Sequence, residues 1–174
     1  MSRTDYDLTR IKALAFDVDG VLSPSVMPMA MDGTPLRMVN VKDGYALQLA
    51  VKLGYKIAII TGADSPAVKA RFEGLGITDV FTSVSVKMPV LQQWMTQHNL
   101  QPDQVAYAGD DIPDYEAMKA VGLAVAPADA ASDIRNIARY ITPCKGGEGV
   151  ARDIIEQILR ANGQWLSDDT AFGW

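Results

Sequence analysis

The stretch IKALAFDVDG at residues 11–20 is an apolar run that stops at two aspartates and a glycine. The run up to Val18 has the length and apolar content of a buried strand, and Asp19-Gly20 is a turn signal that closes it. The same succession of apolar run and turn recurs at three further places: 56–62 (KIAIITG), 105–111 (VAYAGDD) and 123–127 (LAVAP). The four runs predict four short strands.

Segments with apolar residues at helical spacing lie between these runs, and they are Tyr45–Leu53, Ser65–Leu75, Pro89–His98 and Pro113–Val121. Strands that alternate with helices of about ten residues form right-handed βαβ units, which build a parallel sheet. The sequence therefore predicts a single α/β domain over residues 1–174, a three-layer Rossmann-like fold with a central parallel sheet.

One segment, SPSVMPMAMDGTPLRMVNV at residues 23–41, interrupts this alternation. Asp32-Gly33 separates two apolar runs in it and is a hairpin signal, so we predict a protruding β-hairpin at about residues 24–41. Three methionines recur there at period two and would share one face; they are Met27, Met29 and Met31. That face either packs on its own domain or contacts another subunit, because a lone two-stranded hairpin is rarely stable.

Composition excludes several classes of protein. Hydrophobic residues make up 48% and charged residues 21%, as in an ordinary globular domain. A net charge of −5 disfavours a nucleic-acid partner. Cys144 is the single cysteine, which excludes an internal disulfide and suggests a reducing cytoplasm. No apolar run reaches the roughly 18 residues that span a bilayer, and the start of the chain, MSRTDYDLTRIK, lacks the apolar stretch of a signal peptide. We expect a cytoplasmic protein without a membrane partner.

Aspartates crowd the ends of two predicted strands. Asp17 and Asp19 close the first strand, and Asp110, Asp111 and Asp114 follow the third. Ligands bind outside the carboxyl ends of parallel strands, and like charges gathered there need a cation. Because the available ligands are oxygens, the expected cation is Mg²⁺. Turn chemistry is the alternative explanation, since Asp-Gly and Gly-Asp-Asp are common in loops.

These residues, with two more, resemble the four motifs of haloacid-dehalogenase-type phosphatases. The matching elements are DVDGV at 17–21, Thr61-Gly62 after a strand, Lys87, and GDDIPD at 109–114. Their order and spacing agree with the family, and the likeness extends from Lys12 to about Leu159. The resemblance implies a phosphatase that works through an aspartyl-phosphate.

The resemblance also implies a role for each motif residue. Asp17 would be the nucleophile, and Asp19 would protonate the leaving group. Thr61 and the amide of Gly62 would hold phosphoryl oxygens, and Lys87 would neutralise phosphate charge. Mg²⁺ would be held by Asp17, Asp110 and the carbonyl of Asp19, with Asp111 and Asp114 orienting the groups around it.

The chain has no segment long enough for a cap domain, and it resembles the capless 3-deoxy-D-manno-octulosonate 8-phosphate phosphatases. The supporting segments are NVKDGYAL at 40–47, AYAGDDIPD at 106–114, VGLAVAPADA at 121–130 and GGEGVARD at 146–153. This resemblance implies hydrolysis of that phosphorylated sugar acid in lipopolysaccharide biosynthesis, by a homo-oligomer, most simply a tetramer. It also implies that the stretch 145–174, with mobile glycines at its start, acts as a lid on a neighbouring subunit's site.

Five substrate contacts follow from the same resemblance: Asn40, Lys42, Asp43, Gly44 and Arg71. Two have structural alternatives, because Asp43 could cap a helix that begins at Gly44 and Arg71 could be a solvated helix residue.

The sequence departs from the family at Gln48 and Ala63, where arginines are common. A phosphatase for a sialic-acid-type 9-phosphate is therefore an alternative, as is a non-catalytic oligomeric binding domain with the same fold.

Overall fold

The computed structural model describes residues 4–174, so the first three residues of the predicted non-signal N-terminus lie outside the described part. The strands are β1 (Ala13–Phe16), β2 (Lys56–Ile60), β3 (Asp79–Phe81), β4 (Val105–Ala108), β5 (Leu123–Ala126) and β6 (Tyr140–Ile141). The α-helices are α1 (Val41–Lys52), α2 (Pro66–Glu73), α3 (Lys87–Gln97), α4 (Tyr115–Lys119), α5 (Ser132–Ile137) and α6 (Val150–Ala161). Short 3-10 helices occupy Leu8–Arg10, Pro102–Gln104, Ile112–Asp114 and Asp169–Phe172.

The six strands form one parallel sheet in the order β3-β2-β1-β4-β5-β6. The predicted parallel α/β sheet is confirmed. The order reverses between β1 and β4, which makes the crevice at their carboxyl ends the expected ligand site. Sequence analysis missed β3 and β6 because they are three and two residues long, too short to show a periodic pattern.

Alternate side chains of the strands face two separate cores, which makes the three predicted layers. Leu14 and Phe16 of β1 pack with α1, α2 and α6, whereas Ala13 and Ala15 face α3, α4 and α5. The second core is built around Trp94, which is fully buried. Strands covered on both faces carry continuous apolar runs, as the sequence showed.

The predicted hairpin is only partly correct. The chain does turn at Gly33, which has φ +86°, and the amide of Leu36 donates to the carbonyl of Pro28 at 2.8 Å. However, the pairing is a single bridge between Met29 and Pro35 and not a strand ladder. Three prolines, at 24, 28 and 35, each lack the N–H that a ladder needs.

Apolar side chains of residues 24–40 face outward. Met29 is 72% exposed, Met31 is fully exposed, and Val26 is 85% exposed. The alternative that the methionine face packs on its own domain is therefore wrong for these residues. An exposed apolar patch of this kind is typical of an interaction surface.

Helix α6 packs along α1, and both helices begin at the same edge of the sheet. After α6 the tail returns over α1, where the Tyr45 hydroxyl donates to the carbonyl of Ala171 and the ring of Trp174 meets Tyr45 edge-on. Among residues 4–174, no helix is long and apolar enough to cross a membrane.

The junction of the two helices is held by Asn40 and Asp43. Asn40 caps α1, because its Oδ1 accepts from the amides of Lys42 and Asp43, so the alternative that Asp43 caps a helix starting at Gly44 is wrong. Asp43 instead accepts from the amide of Arg152 in the first turn of α6 at 2.7 Å. Its Oδ2 is buried without a hydrogen-bond partner among the described residues, and burial raises its pKa to about 6.

We expect Asp43→Asn to change the pH dependence of stability. Between about pH 4 and 6 the folded chain binds more protons at Asp43 than the unfolded chain, so its contribution to the free energy of unfolding falls as pH rises. Relative to wild type, the variant should gain up to about 3 kcal/mol between pH 4 and pH 7, at roughly 1.4 kcal/mol per pKa unit. Urea unfolding of both proteins at the two pH values measures this change. The same stability difference between variant and wild type at both pH values would contradict a raised pKa for Asp43.

Candidate active site

The topology brings the first two acidic motifs together. Asp17 comes directly after β1, and Asp110 comes after β4 with Gly109 between them. These two strands pair in register, with Phe16 beside Ala108. The amide of Asp17 donates to the carbonyl of Ala108 at 3.0 Å, so the ladder continues to the nucleophile position. The prediction that these carboxylates share one edge of the sheet is confirmed.

Three carboxylates form a compact cluster at this edge. One oxygen each of Asp17, Asp110 and Asp114 lies within 4.8 Å of the others. Burial, and then the charge of Asp114, raises the pKa of Asp17 to about 7. Burial together with Asp17 and Asp114 raises the pKa of Asp110 to about 7. An all-oxygen cluster whose members repel one another in this way fits a hard divalent cation.

Lys87 supplies positive charge to the same cluster. It stands in the first turn of α3, and its Nζ lies 2.8 Å from Asp17 Oδ2 and 2.7 Å from Asp114 Oδ1. Its side chain is only 4% exposed. Burial lowers the pKa of Lys87, but the two carboxylates outweigh it and the net effect raises that pKa. Lys87 is therefore a buried ammonium ion.

Asp114 is more deeply engaged than the sequence suggested. Its Oδ1 also accepts from the Tyr107 hydroxyl at 2.8 Å, and its Oδ2 accepts from the amide of Asp110 at 3.0 Å. These bonds fix the Asp110 loop and orient Lys87, which agrees with the orienting role expected for Asp114. Asp111 is exposed and stands outside the cluster. Tyr107 was missed because it belongs to an apolar strand, where an aromatic residue predicts core packing.

An open cleft of about 580 Å³ lies over the cluster, and Asp17, Thr61, Gly62 and Lys87 line it together. Thr61 is buried at the end of β2, and its Oγ1 accepts from the amide of Ala63 at 3.2 Å. The main chain of Thr61 bonds to Phe81 and Val84, which fixes the turn that carries Gly62. The structure thus gathers the four predicted motifs around one cavity.

Asp19 lines the cleft but does not belong to the carboxylate cluster. Its two oxygens accept from Arg37, Oδ1 from Nε and Oδ2 from Nη2, both at 2.7 Å. Sequence analysis did not select Arg37. The available signal was a single cation in the apolar run LRMVNV at 36–41, a position where an exposed hairpin explains a charge equally well.

Gly20 makes room for this arrangement. Its φ is +84°, and a Cβ at this position would stand 1.9 Å from Asp110 Oδ2. A side chain there would be strained and would also displace a carboxylate of the cluster.

The five predicted substrate contacts do not line the cleft. Asn40 donates to the carbonyl of Gly147 at 3.1 Å, and Asp43 is committed to α6. Lys42 is exposed and borders a cavity of about 510 Å³ that is lined mainly by α6. Arg71 is half-buried, lies against Gly44, and borders a second cavity of about 240 Å³. Their role as substrate contacts therefore stays a prediction.

The glycine segment before α6 is packed in the structure. Gly147 donates to the carbonyl of Val21 at 2.8 Å, and Gly146 donates to Asp129. A Cβ on Gly146 would stand 2.2 Å from the carbonyl oxygen of Gly20. These contacts hold the segment against the catalytic loop, so its packing gives no support to the expected mobility.

The two departures from the family pattern lie in different places. Ala63 borders the cleft and supplies no charge there, whereas the adjacent Asp64 is acidic. Gln48 is buried, and its Nε2 donates to the carbonyl of Gly173 in the tail at 3.3 Å.

Comparison with known proteins bears on this site. A model of the haloacid dehalogenase-like hydrolases matches residues 75–154. The 3-deoxy-D-manno-octulosonate 8-phosphate phosphatase of Yersinia pestis is 38% identical over 87% of this chain and 81% of that protein. The phosphatase of the same name from Escherichia coli K12 is 38% identical over 88% and 82%, respectively.

Solved structures agree with the sequence relatives. The Yersinia pestis phosphatase superposes with a TM-score of 0.87 at 37% identity, covering 91% of this chain and 85% of that chain. The Moraxella catarrhalis phosphatase of the same name, solved with magnesium, phosphate and the free sugar acid, gives a TM-score of 0.85 at 33% identity, covering 91% of each chain.

We expect Gly20→Ala to lose stability and cation binding together. Gly54→Ala is the matched control, because Gly54 has φ +90° and a Cβ at that position would meet nothing within 4 Å. Both variants carry the backbone strain of about 1–2 kcal/mol, but only Gly20→Ala displaces Asp110. Urea unfolding should show the larger loss of stability for Gly20→Ala. Calorimetric titration should show that Gly20→Ala binds Mg²⁺ at least tenfold more weakly than Gly54→Ala does. Equal behaviour of the two variants would contradict the assignment.

Proposed function

The chain belongs to the haloacid dehalogenase-like hydrolases, in the family of 3-deoxy-D-manno-octulosonate 8-phosphate phosphatases, and on that basis we propose that it hydrolyses this phosphorylated sugar acid to the free acid and phosphate. It is a phosphoric monoester hydrolase, and the proposal places it in lipopolysaccharide biosynthesis. The observation that carries the proposal is the cluster of Asp17, Asp110 and Asp114, in which Lys87 pairs with Asp17 and Asp114 and, together with Asp17, lines the cleft.

Asp17 is the proposed nucleophile. A carboxylate oxygen of Asp17 attacks phosphorus, the ester P–O bond breaks, and an aspartyl-phosphate forms, which water then hydrolyses. Two contacts fix Asp17 for this step: the amide of Val18 donates to Oδ1 at 2.7 Å, and Lys87 holds Oδ2. The buried ammonium of Lys87 opposes protonation of the nucleophile and neutralises part of the incoming charge.

Mg²⁺ is the proposed cofactor, with Asp17, Asp110 and the carbonyl of Asp19 as its protein ligands. The support is the fit of an all-oxygen cluster, together with the magnesium in the Moraxella catarrhalis relative. When bound, the ion shields the phosphate charge that would otherwise repel Asp17.

The remaining motif residues act on the oxygens of the phosphate ester. Asp19 gives a proton to the departing sugar oxygen and then takes one from the hydrolytic water. Thr61 and the amide of Gly62 hold phosphoryl oxygens as charge moves between them. Asn40, Lys42, Asp43, Gly44 and Arg71 are proposed for the sugar-acid side, where Arg71 offers a guanidinium to the carboxylate.

A 9-phosphate of the sialic-acid type is a second candidate substrate. It is favoured by one observation, which is that Ala63 supplies no cation at a position of the cleft where the family commonly has arginine. A non-catalytic role is disfavoured. Burial of Lys87 between two carboxylates costs free energy, and a protein that serves only as a scaffold does not need this arrangement.

We expect phosphate release from 3-deoxy-D-manno-octulosonate 8-phosphate in the presence of Mg²⁺, and its loss in EDTA. Asp17→Asn should lower kcat at least 1000-fold because the amide keeps the shape and loses the nucleophile. Asp5→Asn, an exposed aspartate in a surface ion pair, is the control and should keep wild-type activity. Malachite-green assays on the 8-phosphate and the sialic-acid-type 9-phosphate measure kcat/KM for each. A higher kcat/KM on the 9-phosphate would make that ester the proposed substrate in place of the 8-phosphate. Activity of Asp17→Asn within tenfold of wild type would exclude the covalent mechanism.

The assembly we propose is a homotetramer in which residues 24–40 contact a neighbouring subunit and the C-terminal stretch closes the neighbour's site. The exposed Val26, Met29 and Met31 support this assembly, since water-facing apolar groups gain by burial against copies of themselves. A cytoplasmic location stays a prediction.

Light scattering should give about four times the 18.8 kDa mass of one chain. Met31→Asp should dissociate the assembly and lower kcat/KM at least tenfold, whereas Met31→Leu should behave as wild type. A fully active monomer at nanomolar concentration would exclude shared sites.

A further inference from the structure

The guanidinium of Arg37 grips the carboxylate of Asp19 in a two-point fork. Nε and Nη2 each donate at 2.7 Å to a different carboxylate oxygen, which is the planar geometry that arginine makes and lysine cannot. The Arg37 side chain is 13% exposed, so this pair is shielded from solvent on one side. Both of its members line the cleft above Asp17.

The fork determines where the Asp19 side chain lies. Asp17 and Asp110 stand close by with raised pKa values, and Lys87 is already committed to Asp17 and Asp114. Among the described residues that line the cleft, Arg37 is the one other cation. Without it, Asp19 would lose its partner and be free to rotate toward solvent or toward a cation held by the cluster.

Arg37 also ties a weakly paired segment to the catalytic loop. Residues 24–40 contain only one bridge, between Met29 and Pro35, and a second link runs from the amide of Met38 to Ser23 Oγ at 3.0 Å. Other than Asp19, the described partner of the Arg37 guanidinium is the carbonyl of Pro35, at 3.4 Å. The strong contacts of this side chain are therefore with the catalytic carboxylate and not with its own loop.

We propose that Arg37 is a positioning residue that fixes the Asp19 carboxylate for the second step, in which this carboxylate takes a proton from the water that hydrolyses the aspartyl-phosphate. The inference rests on the proposed role of Asp19. Misplacing a reacting group by about 1 Å can cost about a hundredfold in rate, and a two-point fork restrains both the position and the plane of the carboxylate.

Arg37→Ala should lower kcat for 3-deoxy-D-manno-octulosonate 8-phosphate by about ten- to a hundredfold, and KM should fall with kcat or stay unchanged, because the aspartyl-phosphate accumulates before the slowed step. 4-Nitrophenyl phosphate forms the same intermediate. Rapid mixing of this ester with Arg37→Ala should therefore show a burst of 4-nitrophenolate, about one per active site, before slow phosphate release. Arg37→Lys keeps the charge and loses the fork, and it should give an intermediate kcat.

The controls separate positioning from folding. Arg10→Ala removes an arginine from an exposed ion pair with Asp103 and should leave both activities unchanged. Thermal unfolding checks the fold of each variant, and Arg37→Lys carries the test if Arg37→Ala is unfolded.

Three outcomes would overturn the inference while the proposed function stands: Arg37 variants within twofold of wild type on both substrates, a loss of kcat without accumulation of the aspartyl-phosphate, or a raised KM at unchanged kcat. Inactivity of the wild-type chain on both phosphate esters would instead overturn the proposed function, and the inference with it.

Discussion

The ammonium of Lys87 between the carboxylates of Asp17 and Asp114 is the interaction on which the site depends. Three carboxylates at one strand edge repel one another, and burial, followed by this repulsion, raises the pKa values of Asp17 and Asp110 to about 7. A buried ion pair is costly to form, but removal of one partner leaves an uncompensated buried charge that costs about 3–5 kcal/mol. Lys87 therefore stabilises the cluster and opposes the rise in the pKa of Asp17, the proposed nucleophile.

Backbone geometry around this ion pair leaves little freedom. The register of β1 on β4 sets Asp17 beside the Asp110 loop. The carboxylate of Asp114 fixes that loop because it accepts a hydrogen bond from the amide of Asp110. Gly20 supplies both the positive φ and the empty space that the Asp110 carboxylate occupies. The glycine segment at 146–147 then packs on the same loop from the other side. The turn at residues 17–21 is thus held by the sheet on one side and by the packed glycines 146 and 147 on the other.

The substrate side of the site is less enclosed than the phosphate side. Asn40 and Asp43 were expected near the sugar acid, but their side chains bind the main chain around the start of α6, at Gly147 and Arg152. Gln48 meets the C-terminal tail of its own chain. With the apolar face of residues 24–40 exposed, the isolated chain offers an open cleft, which is the physical reason for proposing that neighbouring subunits complete it.

The sequence alone determined the parallel sheet, the three layers and the shared edge of the acidic motifs, because runs buried on both faces and aspartates at strand ends are local patterns. It could not show β3, β6 or the reduction of the hairpin to one bridge, since such short pairings depend on neighbours distant in the chain. The Arg37–Asp19 fork, the Tyr107–Asp114 bond and the capping of α6 by Asp43 were decided by tertiary structure only. Each joins residues at least seven positions apart in the chain, so only their placement in space gives them a partner.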